Sequence, residues 1–568
     1  MMYAPEHLTE KRFEKYKAAL RPTDWFPQMK SLDFESLAES DRVYLQDFGV
    51  FNSELEEETF MLRVRVPGGR VGAANFKVIA DLAEKYDLTL LLTARSGIQI
   101  HGIEPENVLE LFEKINALEG LSTWQTFGDN VRNVVTDPYD GRGKSCEIEA
   151  FPIIEALHAR FHKHPDLVGM LPRRISIGIT GMRENAWPLF ANDLFFGLAE
   201  KEGMIGFNVY MGGKNTEISQ SADIFLAADE VVDFAMAVIE AFNRHGPREK
   251  RMKSRLFHMI EHYGMAQVKE LIAQIYAKPW RSAGVSLLRK RGFGDKEALR
   301  DGTWGHRYRT DYGLIGADEA RRIADWVLAE GGELRIGIDQ QLYLLGVGET
   351  PPPGARTQTS PTVVACAGSE YCPFSYWSIK EEAHLLPADL LTKYDIKVGF
   401  SGCLKGCGRH KHTDIGIVGL RNAKFGRDDR AARIFLGCEY TEGRRVAEAV
   451  FRSVPVASMA DVVKLLVTVM QECGYEEFEA FAANVLNRFD ERFLEFYFLA
   501  RLESGARVPL DPTQGVEAIA AGFGRSGYVR TAAEEGWQRG SDALIAAMWH
   551  RQEAATVRHV DPSKRRSR

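Results

Sequence analysis

The chain is written twice, and that limits its fold more than any other feature. Residues 71–103 match residues 315–347 at one constant offset and without a gap. Val71-Gly72 pairs with Ile315-Gly316, and Ile79-Ala80-Asp81 with Ile323-Ala324-Asp325. Ile98, Ile100 and Gly102 then pair with Leu342, Leu344 and Gly346. Each copy reads as an amphipathic helix, a strand with apolar residues at alternate positions, a turn, and a second alternating strand. A gapless match of this length exceeds what two unrelated amphipathic units share. A second repeat follows each unit. Ile175-Ser176-Ile177-Gly178 corresponds to Ile396-Lys397-Val398-Gly399, and Asn192-Asp193-Leu194 to Thr413-Asp414-Ile415. In that register Cys403 and Cys407 fall opposite Met182 and Ala186, so only the second copy carries thiols. The expected architecture is an α+β, pseudo-twofold duplicated chain, with a small α/β unit and a larger α/β unit in each half.

Those thiols form two pairs, Cys366-x5-Cys372 and Cys403-x3-Cys407, in a chain with only seven cysteines among 568 residues. Zinc ribbons favour C-x2-C knuckles, which grip a single tetrahedral ion. The longer gaps here suit an iron–sulfur cube, with structural zinc and buried structural thiols as the alternatives. The remaining composition narrows the classes. A net charge of −7 gives no basic surplus for nucleic acid, and 45% hydrophobic content fits a globular chain of several domains. The N-terminal segment lacks the apolar core of a signal peptide, and no apolar run reaches the roughly 18–20 residues of a membrane span. An odd, low cysteine count points to a reducing compartment, and the expected location is the cytoplasm.

Further segments accompany the thiol motif: Leu92-Thr93-Ala94-Arg95 through Gln99-Ile100-His101-Gly102, Asn130-Val131-Arg132-Asn133, Leu171-Pro172-Arg173-Arg174, Gly206-Phe207-Asn208, and the basic run from Arg248 to Arg255. In this order they closely resemble the siroheme- and [4Fe–4S]-dependent sulfite/nitrite reductase family. The resemblance implies halves built from a ferredoxin-like unit and a siroheme-binding unit. The corresponding domains are an N-terminal extension 1–54, a first ferredoxin-like half 55–125 and a first siroheme-binding domain 126–300. A second ferredoxin-like half 301–355, a siroheme and [4Fe–4S]-binding domain 356–505 and a C-terminal extension 506–568 complete the chain.

The resemblance also implies residue roles. Cys366, Cys372, Cys403 and Cys407 would hold the cluster, with Cys407 also ligating the siroheme iron. Arg251, Lys253, Arg255, Lys405 and Arg409 would meet the carboxylates of siroheme. Arg95, Arg132, Arg174 and Ser176 would face the substrate, nitrite or sulfite. The reaction implied is a six-electron reduction, nitrite to ammonia or sulfite to sulfide. The chain departs from the family at Arg174-Ile175-Ser176, where lysine, an aromatic residue, and lysine or asparagine are usual. Arginine keeps the charge but does not readily give up a proton. Three cations in place of four tilt the charge count towards singly charged nitrite.

Gly522-Phe523-Gly524-Arg525-Ser526-Gly527 has dinucleotide-type spacing but no β-branched strand before it, and reads as a loop. With no flavin or nicotinamide domain apparent, electrons would come from a ferredoxin or a separate flavoprotein subunit. The tail Lys564–Arg568 reads as a solvated basic segment. Other siroheme chemistry of the precorrin-3B synthase kind, and a non-catalytic electron-transfer or redox-sensing protein, are the competing readings.

Overall fold

The computed structural model describes residues 12–52, 58–185, 189–290, 294–354, 356 and 359–550. Ala186 and the basic tail lie outside the described residues. The chain divides into two compact units, 1–364 with 440–444, and 365–439 with 445–568.

In the first unit both copies of the first repeat fold as expected from their periodicity. Phe76, Ile79, Ala80 and Ala83 line one face of the helix Ala73–Lys85, and Ala320, Ile323, Ala324 and Val327 line the helix Ala317–Glu330. Spaced by three and four residues, these side chains bury one stripe of each helix. The strands Phe60–Val64, Ile98–Ile103 and Thr89–Leu92 form one antiparallel sheet, and Trp304–Tyr308, Leu342–Val347 and Glu333–Ile336 form its counterpart. Each sheet is completed by a strand from the other copy. Ile315 pairs with Leu90 and Leu314 with Leu91, while Val71 pairs with Leu334 and Arg70 with Arg335. The exchange is reciprocal and in the same register on both sides. The two helices carry the same symmetry in their ion pairs, Lys77 with Asp325 at 2.5 Å and Arg321 with Asp81 at 3.6 Å.

The second repeat also keeps its register. In the first unit Ile177–Thr180 runs parallel to Leu194–Lys201, with Met204–Met211 and Gln220–Leu226 following antiparallel. In the second unit Val398–Ser401 runs parallel to Ile415–Arg421, with Arg430–Leu436 and Glu448–Pro455 following antiparallel. A buried aspartate anchors each crossover. Asp193 accepts the Ser176 backbone N–H at 2.7 Å, and Asp414 accepts that of Lys397 at 2.8 Å. The second crossover is packed closely enough to require glycine. A Cβ on Gly416 would stand 1.7 Å from the His410 carbonyl oxygen, backbone against backbone. Gly416→Ala is therefore expected to destabilise the second unit by about 3 kcal/mol or more, read as a lowered denaturant midpoint with unchanged slope.

Sequence patterning says little beyond residue 505, where the structure places a helical layer. The helix Glu491–Ser504 is buried on all sides from Phe493 to Arg501. It lies against the strand Glu448–Pro455 and the helix Trp537–Trp549, which explains its lack of a polar face. Gly524 sits between the helices Val516–Ala521 and Gly527–Glu535, so no strand-to-helix phosphate loop forms there. Among the described residues no helix is long and apolar enough to cross a membrane.

Candidate functional site

Hydrogen bonds, one of them from the Asn133 side chain, bring three arginine-bearing segments together in the first unit. Arg95 lies in the tight turn between Thr89–Leu92 and Ile98–Ile103. Thr93 Oγ1 accepts the Arg95 N–H at 3.3 Å and the Gly97 N–H at 3.1 Å. Ser96 at the turn's apex takes a left-handed φ of 54°. The Asn133 amide donates to the Arg95 carbonyl at 2.9 Å and to the Val66 carbonyl at 2.7 Å, tying the turn to the Arg132 segment. The Arg132 N–H in turn donates to the Ile175 carbonyl at 2.8 Å, immediately after Arg174.

The Arg132 guanidinium is buried at 5% exposure. One nitrogen donates to the Gly128 carbonyl at 2.8 Å, while Nη1 is buried with no hydrogen-bond partner. Burial first, then the like charges of Arg174, Arg63, Arg95 and Arg173, push this guanidinium well below its ordinary pKa. Arg173 has a carboxylate partner, Asp129, at 3.1 Å. The result is a concentrated positive site that an anion would relieve. One cation about 4 Å from a unit anion attracts it by roughly 4 kcal/mol at intermediate dielectric.

Sequence reasoning missed Arg63. Its side chain lies over the Phe127 ring at 4.9 Å, and Arg132 lies over the same ring at 5.5 Å. A lone arginine in an alternating strand reads as a solvent-facing residue. The repeat held a signal for it. Arg63 corresponds to Arg307, but the positions matching Arg95 and Arg174 are Asp339 and Asp395. Arg307 lies 4.0 Å from Asp339, and Asp395 lies 3.2 Å from Lys397. The second copy thus places carboxylates where the first has Arg95 and Arg174.

Ser176, expected to face the substrate, bonds within the chain. It is fully buried, and its hydroxyl donates to Asp193 Oδ2 at 2.7 Å. Arg255 grips the same carboxylate with two nitrogens, at 2.9 and 2.7 Å. Arg251 likewise gives two nitrogens to Asp129, at 2.8 and 3.0 Å. These two arginines therefore anchor their loop internally, while Lys253 is exposed. Burial alone would raise the Asp129 carboxyl, but Lys17, Arg251 and Arg173 outweigh it and hold it below the usual carboxylate range.

Nearby Asp47 behaves oppositely. It is 6% exposed and accepts from the Asn130 amide at 2.7 Å. Burial, reinforced by Asp129, pushes its carboxyl up to about 7 against the pull of Lys17, Asn130 and Arg132. A carboxyl raised on folding binds its proton more tightly in the native state, so it costs stability as pH rises from about 4 to about 7. Asp47→Asn is expected to leave stability unchanged near pH 4 and to raise it by up to about 4 kcal/mol at pH 8. Thermal unfolding across that range checks this.

The second unit holds the four thiols, none in a disulfide. Cys366 Sγ accepts the Gly402 N–H at 3.0 Å. Burial, then the neighbouring Cys407, push the Cys366 thiol up to about 12. Burial also raises Cys372 and Cys403, and Cys407 acts on both. All four thus share one neighbourhood. The C-x5-C and C-x3-C spacings are longer than the C-x2-C knuckles that grip a single zinc ion. Cys407 is exposed, beside Leu404 at 57% and Phe374 at 56% exposure. Lys405 extends over the Phe374 ring, and Arg409 is buried, its guanidinium lowered by burial to about 10.

The nitrite/sulfite reductase ferredoxin-like half domain matches residues 54–118, and the nitrite and sulphite reductase 4Fe-4S domain matches residues 127–279. The second match falls on the copy without the four motif cysteines. Ferredoxin–nitrite reductase of Synechococcus elongatus is 27% identical over 495 residues, covering 81% of this chain and 96% of that protein. The ferredoxin sulfite reductase of Mycobacterium tuberculosis is 26% identical over 396 residues, covering 64% of this chain and 71% of that one. Among solved structures, the Mycobacterium tuberculosis NirA protein shares the fold with a TM-score of 0.78. It is 22% identical and covers 86% of this chain and 98% of its own.

Proposed function

The chain belongs to the nitrite and sulfite reductase family, and from that premise we propose that it reduces nitrite or sulfite by six electrons, using siroheme and a [4Fe–4S] cluster. The observation that carries the anion site is the buried Arg132 Nη1, without a partner among like charges. In this reading Arg63, Arg95, Arg132 and Arg174 bind and orient anions, the substrate among them. Lys253, Lys405 and Arg409 remain the candidates for siroheme carboxylates. Cys366, Cys372, Cys403 and Cys407 would hold the cluster, and Cys407 would also serve siroheme. When bound, the two groups supply single-electron transfers that no side chain provides. The arginines fix the oxyanion and balance its charge but hold their own protons, so protons reach the N–O or S–O bond through water. Arg63 brings the cations to four, and charge then no longer separates nitrite from sulfite. The relatives' names include ferredoxin, and a ferredoxin is the proposed electron donor.

Turnover of nitrite and sulfite side by side, with reduced ferredoxin or methyl viologen, tests the reading. One oxyanion is expected to be reduced with a clear kcat/KM preference, by protein containing iron, acid-labile sulfide and siroheme. Protein that contains all three and reduces neither would overturn it. Cys407→Ser is expected to abolish turnover and the coupled spectrum of the two groups. A normally coupled spectrum in that variant would remove Cys407 as the shared ligand.

A further inference from the structure

We propose that the N-terminal helix Arg12–Ala19 positions the anion-binding arginines through Lys17, a role that rests on the anion-site reading above. Glu14 and Lys17 lie three residues apart on this helix and are both buried, at 4% and 7% exposure. The Lys17 ammonium spends its three hydrogens on three acceptors: Glu14 Oε1 at 2.8 Å, Asp129 Oδ2 at 2.9 Å and the Leu171 carbonyl at 2.7 Å. Two of these acceptors begin the segments that carry the site. Asp129 is followed by Asn130-Val131-Arg132, and Leu171 by Pro172-Arg173-Arg174. A single ammonium therefore sets the separation of Arg132 and Arg174, whose backbones meet at the Arg132 N–H to Ile175 carbonyl bond.

The same helix reaches the basic loop. Glu14 Oε2 accepts from Arg248 at 2.9 Å, and the Arg251 guanidinium lies over the Phe13 ring at 3.7 Å. Arg251 then shares Asp129 with Lys17 and Arg173. An apolar contact would stabilise such a junction at least as well as buried charges do, because desolvation offsets much of their attraction. What the charges add is direction: each donor fits one acceptor at one distance. Lys17 itself meets Glu14, Asp129 and Leu171 and contributes no donor to the arginine cluster, so its effect passes through the backbone.

The test compares wild-type, Lys17→Met and Lys17→Arg holoenzymes, each checked for iron, acid-labile sulfide and siroheme content. The readouts are the nitrite and sulfite dissociation constants from spectral titration, together with KM and kcat. Lys17→Met is expected to weaken anion binding and raise KM about tenfold, with kcat within about twofold and cofactor content unchanged. Lys17→Arg, which keeps the charge, is expected to recover most of the affinity. Wild-type protein that binds either anion, with Lys17→Met binding it equally well, overturns the positioning role alone. Loss of affinity only in proportion to lost cofactor, with no rescue by arginine, reduces Lys17 to a structural residue and also overturns it. Wild-type holoenzyme that binds neither anion overturns the anion-site reading and this inference with it.

Discussion

Arg132→Met is expected to raise the melting temperature and to weaken oxyanion binding in the same protein. The guanidinium sits at 5% exposure with one nitrogen unpartnered, surrounded by Arg63, Arg95, Arg173 and Arg174. Without an anion this buried charge opposes folding, and an apolar side chain of similar length removes its desolvation cost, an expected gain on the order of 1 kcal/mol. With an anion bound, the same charge supplies roughly 4 kcal/mol of attraction at about 4 Å, so binding should weaken about a hundredfold or more. A residue that only supported the fold would lose stability when truncated. Thermal unfolding in buffer free of coordinating anions, paired with nitrite and sulfite titration, checks both signs. A lowered melting temperature with unchanged affinity would take Arg132 out of the site.

Asp129→Asn is expected to have the opposite effect on stability, costing about 3–5 kcal/mol. Its carboxylate is 3% exposed and receives Lys17, Arg173 and Arg251 at once. Asparagine keeps the shape but leaves three cations facing one another without a counter-charge. The pH dependence follows from the same network. Asp129 is held below its ordinary value of 3.8, so its contribution is complete above that pH and is lost as pH falls through the depressed folded value. The gap between wild type and variant should therefore be constant from neutrality down to about pH 4 and close only in stronger acid. Urea unfolding at several pH values measures it. A gap that closes above pH 5 would mean that Asp129 is not held charged by its neighbours.

Much of this was legible in the sequence, because the repeat fixes registers as well as elements. The offset that aligns residues 71–103 with 315–347 also relates Val71↔Leu334 to Ile315↔Leu90 across the two sheets. The exchange itself was not legible. The swapped strands, Arg70–Val71 and Leu314–Ile315, are too short to show periodicity, and nothing local marks which copy they join. The internal partners of the basic run's arginines were not legible for a related reason. Density of charge along the chain is visible, but the carboxylates that satisfy Arg251 and Arg255 are Asp129 and Asp193, distant in sequence. The bond from Ser176 to Asp193 was not legible because Asp193 lies on the next strand's approach and not beside it. Arg63 needed a comparison between copies: only where Asp339 and Asp395 stand against Arg95 and Arg174 does the first copy's charge become conspicuous.

The reciprocal strand exchange also bears on synthesis at the ribosome. The sheet edge at Leu90 and Leu91 finds its partners only when Leu314 and Ile315 have emerged. At about 5–20 residues per second that delay is roughly ten to fifty seconds. Throughout it, the nascent N-terminal half presents an open edge and an uncovered helix face to other chains. Truncation before residue 315 is therefore expected to yield aggregates and not a folded half.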